Sequence, residues 1–497
     1  MKTLTRRAFL KTTAIAAAGA SLSVRSWGRV LGANDKVRVA VVGLNGRGQT
    51  HLQYLRAVPD ARVVAVCDAD TAVLARTIKS VGPGVTAYTD IRELLASPDI
   101  DAITVATPNH WHSLMGIWAC QAGKDVYVEK PVSHNVWEGR QLLAAATKYG
   151  RVVQAGMQIR SGAGMVEAVE WIRAGHLGPI KVARGLCYKR RQSIGLTVGP
   201  QPIPDTVNYN LWCGPSPLAP LRRKSLHYDW HWQWPTGNGD VGNQGVHQLD
   251  VARWFLGEAG FPRHVLSVGG RLGYKDDGET PNTQVIWYDY ATAPVIFEVR
   301  GLPKKAGEPT EAPAGLTGAE AAGAMANTMD RFRGIDIGNV IECEGGALLT
   351  DGYFVAHAVD RDGKTIREFR GEDRNMANFI SVVRSRKMSD LTAPISEGRV
   401  SSALCHLGNI SHRVGHLTTP GELQDAVHGN AALAETVDRV REHLAANQID
   451  LQVTPLTLGA ALPIDTTTEE FTGPMAEKAN ALLTRDYRAP FTVPALA

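Results

Sequence analysis

Val37-Arg38-Val39-Ala40-Val41-Val42-Gly43-Leu44-Asn45-Gly46-Arg47-Gly48 is the stretch whose reading decides the fold. Its first six residues are apolar and mostly β-branched, the pattern of a buried strand. A helical pattern follows from Gln49 to about Val58. A second apolar run, Arg62 to Cys67, ends at Asp68. Strand, glycine turn, helix, strand and acid, in that order, predict a dinucleotide-binding βαβ unit. Gly43 lets the chain turn off the strand, and Gly48 lets the helix lie close to the sheet. The open amides around Asn45, Gly46 and Arg47, aided by the helix dipole, face the pyrophosphate. Asn45 stands where G-x-G-x-x-G has its middle glycine, and asparagine tolerates left-handed backbone better than most residues. Asp68, 20 residues beyond Gly48, can accept hydrogen bonds from a ribose 2′-hydroxyl. It would repel a 2′-phosphate, so the expected cofactor is NAD rather than NADP.

At 497 residues the chain exceeds one typical core, and two or more domains are expected. A net charge of +4 is small for this length and argues against nucleic acid as a partner. Six cysteines at positions 67, 120, 187, 213, 343 and 405 form no C-x-x-C pair and read as buried free thiols. Thr5-Arg6-Arg7-Ala8-Phe9-Leu10-Lys11, followed by an Ala-rich run from Thr12 to Val24, resembles a twin-arginine signal. Residues 1–33 are therefore expected to be a signal peptide, with cleavage near Leu31-Gly32-Ala33. The apolar run is too short for a membrane span. Such a signal implies a periplasmic protein, exported folded by the twin-arginine machinery with its dinucleotide already inside.

Beyond Asp68, helices at Thr71–Ser80, Ile91–Ala96, Ser113–Ala122 and Val136–Tyr149 alternate with strands at Ala102–Ala106, Asp125–Val128 and Arg151–Gly156. This predicts an α/β Rossmann domain over residues 36–157, a doubly wound parallel sheet. Functional groups of such sheets gather at the carboxyl ends of the strands, where Gly43, Asp68, Thr107, Glu129 and Gly156 fall. From 158 to 415 the pattern changes. A helix at Gly164–Arg173 and a strand at Ile180–Tyr188 precede a long stretch, 192–240, rich in Pro, Gly and aromatics. A helix at Val241–Leu256 follows, then strands at 264–272, 284–290, 294–300 and near Val340 and Ala347, then helices at Met376–Arg384 and Ser396–Val414. Residues 304–329 read as a mobile surface insertion. Residues 416–497, with one clear helix at Ala432–Ala445 and a Pro-rich tail, form a C-terminal extension with a packing or oligomer role.

Thr107-Pro108-Asn109-His110-Trp111-His112 and Glu129-Lys130-Pro131 each follow a strand, and Gly242-Asn243-Gln244-Gly245-Val246-His247-Gln248-Leu249-Asp250 lies downstream. Together they resemble the Gfo/Idh/MocA oxidoreductase family, to which glucose-fructose oxidoreductase and inositol dehydrogenase belong. The resemblance covers roughly Val37 to Gly415. It implies that the second domain is α+β, an open and mostly antiparallel sheet with helices on one face. It also implies a homo-oligomer packed through that sheet.

Oxidising a carbinol needs a base for the hydroxyl proton. By resemblance, Lys130, fixed by Pro131, points at the substrate hydroxyl beside the nicotinamide. Burial and neighbouring charge can lower a lysine pKa enough for this. Glu129 is expected at the ring-side ribose or nicotinamide, and Thr107, Pro108, Asn109 and His112 along the same side of the cofactor. His247 is the second catalytic and substrate-binding candidate, one helical turn from Asn243, whose neutral amide stands where the family commonly has an acid and would orient substrate or the imidazole. Two roles for His247 stay open, main base or hydrogen-bonding partner of Lys130, and Asp250 could orient its ring. Lys189, Arg190, Trp230 and His231, with Tyr209, Trp212 and His227, are candidates for reading a sugar through stacking and hydroxyl contacts. His227 and His231 are four apart, but Tyr228-Asp229-Trp230-His231-Trp232 does not read as helical, so no metal is expected.

These residues predict an NAD-dependent oxidoreductase acting on a sugar, glycoside or cyclitol with tightly held NAD(H). An NAD-dependent glycosidase working by transient oxidation is the alternative, although such relatives usually lose the lysine that this chain keeps at 130. A non-catalytic sugar-binding protein is the third reading.

Overall fold

The computed structural model describes residues 36–313 and 318–496. The expected signal peptide, residues 1–33, lies outside the described residues. β1 (Val37–Val42) turns into α1 (Arg47–Ala57), which returns to β2 (Ala61–Cys67). Gly43 has φ +84°, and a Cβ there would lie 2.7 Å from the Ala106 and Thr107 backbone. A Cβ at Gly48 would lie 1.8 Å from the Gly43 carbonyl oxygen. Only glycine fits either position, and this brings α1 down onto the strand ends.

The domain continues with α2 (Thr71–Val81), β3 (Thr86–Tyr88), α3 (Ile91–Ala96), β4 (Ala102–Val105), α4 (His112–Gln121), β5 (Asp125–Val128), α5 (Val136–Tyr149) and β6 (Val153–Ala155). The six strands are parallel in the order β3-β2-β1-β4-β5-β6. Strand order reverses between β1 and β4, so the crevice opens at their carboxyl ends.

The second half begins with α6 (Ala163–Arg173), β7 (Ile180–Tyr188) and the short α7 (Tyr209–Cys213). A π turn, Val241–Gly245, leads into α8 (Val246–Leu256). There follow β8 (His264–Gly270), β9 (Thr283–Asp289), β10 (Val295–Arg300), α9 (Gly318–Ala326), β11 (Ile337–Cys343), β12 (Gly346–Asp351), β13 (Val355–Asp360) and β14 (Thr365–Arg370). The chain ends with α10 (Asn375–Ser385), α11 (Ile395–Arg413), β15 (His416–Leu417), α12 (Pro420–Val427), α13 (Ala431–Ala446), β16 (Thr457–Leu458), β17 (Leu462–Asp465), β18 (Glu470–Phe471) and α14 (Ala476–Asn480). The main path of this sheet is β14-β13-β12-β11-β7-β10-β9-β8-β16-β15, with β17 on β8 and β18 on β17. Among the described residues of this sheet, only β7 and β10 pair in parallel.

One face of this sheet, through Ala183, Cys187, Val295, Phe297 and Val299, packs on Val246, Leu249 and Ala252 of α8 and Leu404 and Leu407 of α11. That core runs on into the Rossmann domain through Val132 and Ala155. The other face offers Val182, Leu266, Val268, Val285 and Ile296, which pack under Leu423, Val427, Leu433, Val437, Val440 and Leu444 of α12 and α13. Buried polar groups join the same layers: Arg184 donates to Thr436 at 2.6 Å and Arg439 to the fully buried Glu298 at 2.8 Å. The extension therefore covers, over β7 to β10, the face that the sequence reading left for a second subunit.

Residues 304–329 are not a featureless insertion. They carry α9, and Ala306 N donates to Ala446 O of the extension, next to Pro303 O, which accepts from Asn447 Nδ2. The expected cysteine state holds, since all six are free and buried. Leu444 is fully buried in the extension's core. Leu444→Ala is expected to cost about 2–5 kcal/mol of stability, read as a lowered urea midpoint at unchanged m.

Candidate active site

A cavity of about 560 Å³ lies between the carboxyl ends of the Rossmann strands and the second domain. One wall is built from the Gly43–Arg47 turn, Asp68 and Ala69 beyond β2, Thr107, Pro108, Asn109 and His112 beyond β4, and Glu129 and Lys130 beyond β5. The opposite wall comes from the long stretch after β7 and from the π turn and α8. It presents Trp212, His227, Trp230, His231, Asn243 and His247, and Tyr353 from the β12–β13 turn completes it. Gly48 lies beneath the turn and supplies packing rather than lining.

Asp68 accepts from Leu44 N at 2.8 Å and from Asp70 N at 3.0 Å. Burial pushes its carboxyl up while those amides pull it back. Each oxygen accepts one of these bonds and keeps capacity for another, such as a ribose hydroxyl. Glu129 does not reach into the cavity as a free group. It pairs with Arg47 Nε at 2.7 Å and His51 Nε2 at 3.0 Å, and Gln158 Nε2 donates to it at 3.2 Å. Burial would raise this carboxyl, but the Arg47 charge and the His51 bond hold it well below the usual carboxylate range.

Lys130 Nζ donates to the backbone carbonyl of Asn243. The sequence reading assigned Asn243's amide to the site; the carbonyl, offered by the π turn, is what meets the lysine. Such turns often mark functional sites. Burial lowers Lys130 to about 8, with the charges of Arg47 and Lys189 adding to the effect and Glu129 opposing it. Burial and the Lys130 charge push His247 down to about 3, so its imidazole is neutral. Its ring lies 4.8 Å from that of Tyr353, and its Nδ1 is buried without a partner.

Four expectations are corrected. Asp250 does not orient His247; it is held by Arg160 Nε at 2.8 Å and Ser401 Oγ at 2.6 Å. His112 lines the cavity, but its ring nitrogens face Pro131 O at 2.6 Å and Thr107 O at 2.7 Å. It braces the two strand-end loops instead of reaching a ligand. Lys189 and Arg190 do not line the cavity. Arg190 feels the charges of Tyr274 and Glu308, and Lys189 those of Arg191 and Cys187; the chain runs on from β7 beside the end of β10, where Lys189 N and Arg191 N donate to Arg300 O and Gly301 O. Trp230 and His231 do line it, stacked with ring centroids 3.6 Å apart. Gln158, Gln244 and Tyr353 also line it. No sequence pattern announces them, since each is a lone polar or aromatic residue in a turn or beside the π segment.

Residues 37–157 match the family described as "Oxidoreductase family, NAD-binding Rossmann fold", and residues 171–293 match its "C-terminal alpha/beta domain". Both matched segments are similar to the two domains of the Gfo/Idh/MocA oxidoreductase family. A glycosyl hydrolase family 109 protein of Shewanella sp. (strain ANA-3) is 32% identical over 158 residues, 27% of this chain and 35% of its own length. Inositol 2-dehydrogenase 1 of Saccharopolyspora erythraea is 34% identical over 144 residues, 29% of this chain and 43% of its own length. The chain thus spans less than half of either relative. Among solved structures, the WlbA dehydrogenase of Bordetella pertussis, in complex with NADH and UDP-GlcNAcA, is similar in fold with a TM-score of 0.52. It is 18% identical, and the match covers 74% of this chain and 94% of that one. The Gfo/Idh/MocA Rossmann domain binds NAD, and the open amides, Arg47 and Asp68 suit the pyrophosphate and ribose of that cofactor.

The neutral amine of Lys130 is the nucleophilic form. Its labelling by an amine-selective acylating reagent, followed by peptide mass spectrometry, should rise with pH and be half-maximal near 8. A half-point near 10.5, the ordinary lysine value, would show that the site leaves the amine unperturbed.

Proposed function

We propose that this chain is an NAD-dependent oxidoreductase acting on a CH–OH group of a sugar, glycoside or cyclitol, with NAD(H) held tightly and reused. The observation that carries this reading is that Lys130 and His247, near enough for the lysine's charge to bear on the imidazole, line the same cavity as the Gly43–Arg47 turn and Asp68. Bound NAD supplies the hydride acceptor for alcohol oxidation and, once reduced, the donor for the reverse. Lys130, lowered to about 8, can take the hydroxyl proton near neutral pH. His247, neutral and with its Nδ1 unpartnered, can hold the same hydroxyl or its neighbour by a hydrogen bond. The stacked Trp230–His231 pair and the Tyr353 ring give flat surfaces for the C–H face of a sugar ring. Gln158, Gln244 and Asn243 give polar contacts around it.

The relatives' names, an inositol dehydrogenase and a dehydrogenase solved with a nucleotide sugar, support a polyhydroxylated substrate. Export is part of the reading. Arg6-Arg7 and the Ala-rich run after them support a periplasmic protein that carries its dinucleotide through the twin-arginine machinery. A cofactor carried that way is not replaced from a cytoplasmic pool, which favours coupled or transient oxidation. The family 109 glycosyl hydrolase relatives favour a second reading, in which transient oxidation leads to cleavage of a glycoside.

Product analysis separates the two readings: a ketone or a coupled alcohol for the first, a released aglycone for the second. In either, Lys130→Ala should lower kcat by about 10²–10⁴ while dinucleotide content stays unchanged; an unchanged product yield would sink the lysine's role. Protein purified without added cofactor and then denatured should release stoichiometric NAD(H). NADP(H) in its place would overturn the reading of Asp68.

A further inference from the structure

The adenosine-ribose end of a Rossmann crevice lies beside the acid at the end of β2. Here that end has protein on both sides. Asp68, Ala69, Thr89, Asp90 and Ile91 form the near wall, and Ser225, His227, Tyr228 and Trp230 of the second domain stand opposite them across the same cavity. Four hydrogen bonds hold the two walls together. Thr71 N and Thr71 Oγ1 donate to Thr206 O at 2.9 and 3.1 Å, and Asn208 N donates to Ala69 O at 2.9 Å. His227 Nε2 meets Asp70 Oδ2 at 2.9 Å. The two backbone bonds pair Asp70 with Val207 as an isolated antiparallel bridge. Behind them, Val207, Trp212, Cys213, Leu221, Leu226 and Trp230 form a small core of their own that takes in Ala69 of the Rossmann domain.

At the other end of the crevice the same segment is anchored more heavily. Trp111 Nε1 donates to Leu211 O at 3.0 Å, and His110 Nε2 faces Trp212 O at 3.0 Å. From the C-terminal tail, Arg488 Nη2 donates to Asn210 O at 2.8 Å and Arg485 Nη1 to Pro235 O at 2.8 Å. The segment therefore crosses the crevice tied down at the β4 corner and, through the His227–Asp70 latch and the core around Ala69, at the β2 corner.

We propose that residues 203–231 are the second half of the dinucleotide site, a strap latched over the adenosine ribose, and that His227 is a cofactor-positioning residue. This rests on the reading of the cavity as an NAD site. A carboxylate only accepts hydrogen bonds, so Asp70 fixes the proton of His227 on Nε2 and leaves Nδ1 as an acceptor. That nitrogen suits a ribose hydroxyl. An acceptor nitrogen flanked by Asp68 and Asp70 does not suit a 2′-phosphate. Dinucleotide can then leave only when the latch breaks, which gives a physical basis for retention.

The test measures cofactor release without any substrate. NADH-loaded protein is mixed with excess NAD, and the loss of bound-NADH fluorescence gives the rate. His227→Ala removes a hydrogen bond to a carboxylate and should speed release about tenfold or more. A second protein, Asp70→Cys with Val207→Cys, keeps the test valid if the first folds poorly. Those two positions are paired across the latch, and the native cysteines are buried. Oxidised, it should release NADH at least tenfold more slowly than the same protein reduced. Equal rates in the oxidised and reduced forms, or wild-type release from a folded His227→Ala protein, overturn the strap even where Lys130-dependent turnover persists. Failure of the wild-type protein to bind NADH at all overturns the redox reading and the strap with it.

Discussion

Glu129 is 4% exposed, and a carboxylate taken so far out of water must be paired. Arg47 and His51 come to it from α1, one at its first residue and one a turn later, and Gln158 from the segment after β6. The start of α1 and the segment after β6 are thereby fixed to one charge at the end of β5. Removing one partner of such a buried pair typically costs about 3–5 kcal/mol, because the stranded charge and not the lost contact dominates. Lys130 is the next residue along. Its amine donates to the Asn243 carbonyl of the second domain and feels the charge of this cluster. Burial and Arg47 push the amine down, and Glu129 limits the fall.

The second domain meets that lysine because α8 is held just as firmly. Asp250, one turn beyond His247, binds Arg160 and Ser401, and Arg253 reaches Glu397 at 2.5 Å. This buried group ties α8 to α11 and to the segment that follows β6. Asp250, the acid one turn along the same helix, serves this structural cluster, and His247 keeps an unpaired nitrogen. A buried ring with an unpaired nitrogen is costly in a core and useful in a site.

Much of this was legible in the sequence for a definite reason. The Rossmann strands are continuous apolar runs, the glycines at 43 and 48 have no substitute sterically, and E-K-P sits where a parallel sheet delivers functional groups. Period and punctuation encode those features. What was not legible depends on tertiary partners. Strand β14 reads Thr-Ile-Arg-Glu-Phe-Arg and buries only Phe369, so no alternation marks it. Asp250 was expected at His247 from spacing alone, yet Arg160, 90 residues away in sequence, decides its partner. Lys189 and Arg190 belong to a segment whose path over the crevice is set by Trp111 and by a tail about 275 residues later in the chain. Helical or strand periodicity carries no information about such contacts.

The same distance in sequence explains why the extension matters. α13 covers the outer face of the sheet, and the tail beyond α14 returns to the Rossmann domain, where Phe491 packs against Trp111 with ring centroids 5.4 Å apart. Arg485 pairs with the buried Glu138 of α5 at 3.3 Å while donating to Pro235 O on the long segment. One stretch of chain therefore buries the apolar face of the second domain and staples the segment that roofs the crevice. Closure of the site is built within a single chain, through hydrogen bonds to backbone carbonyls that tolerate a change of side chain on the roof. The roof's sequence can thus follow the ligand while its position is set elsewhere.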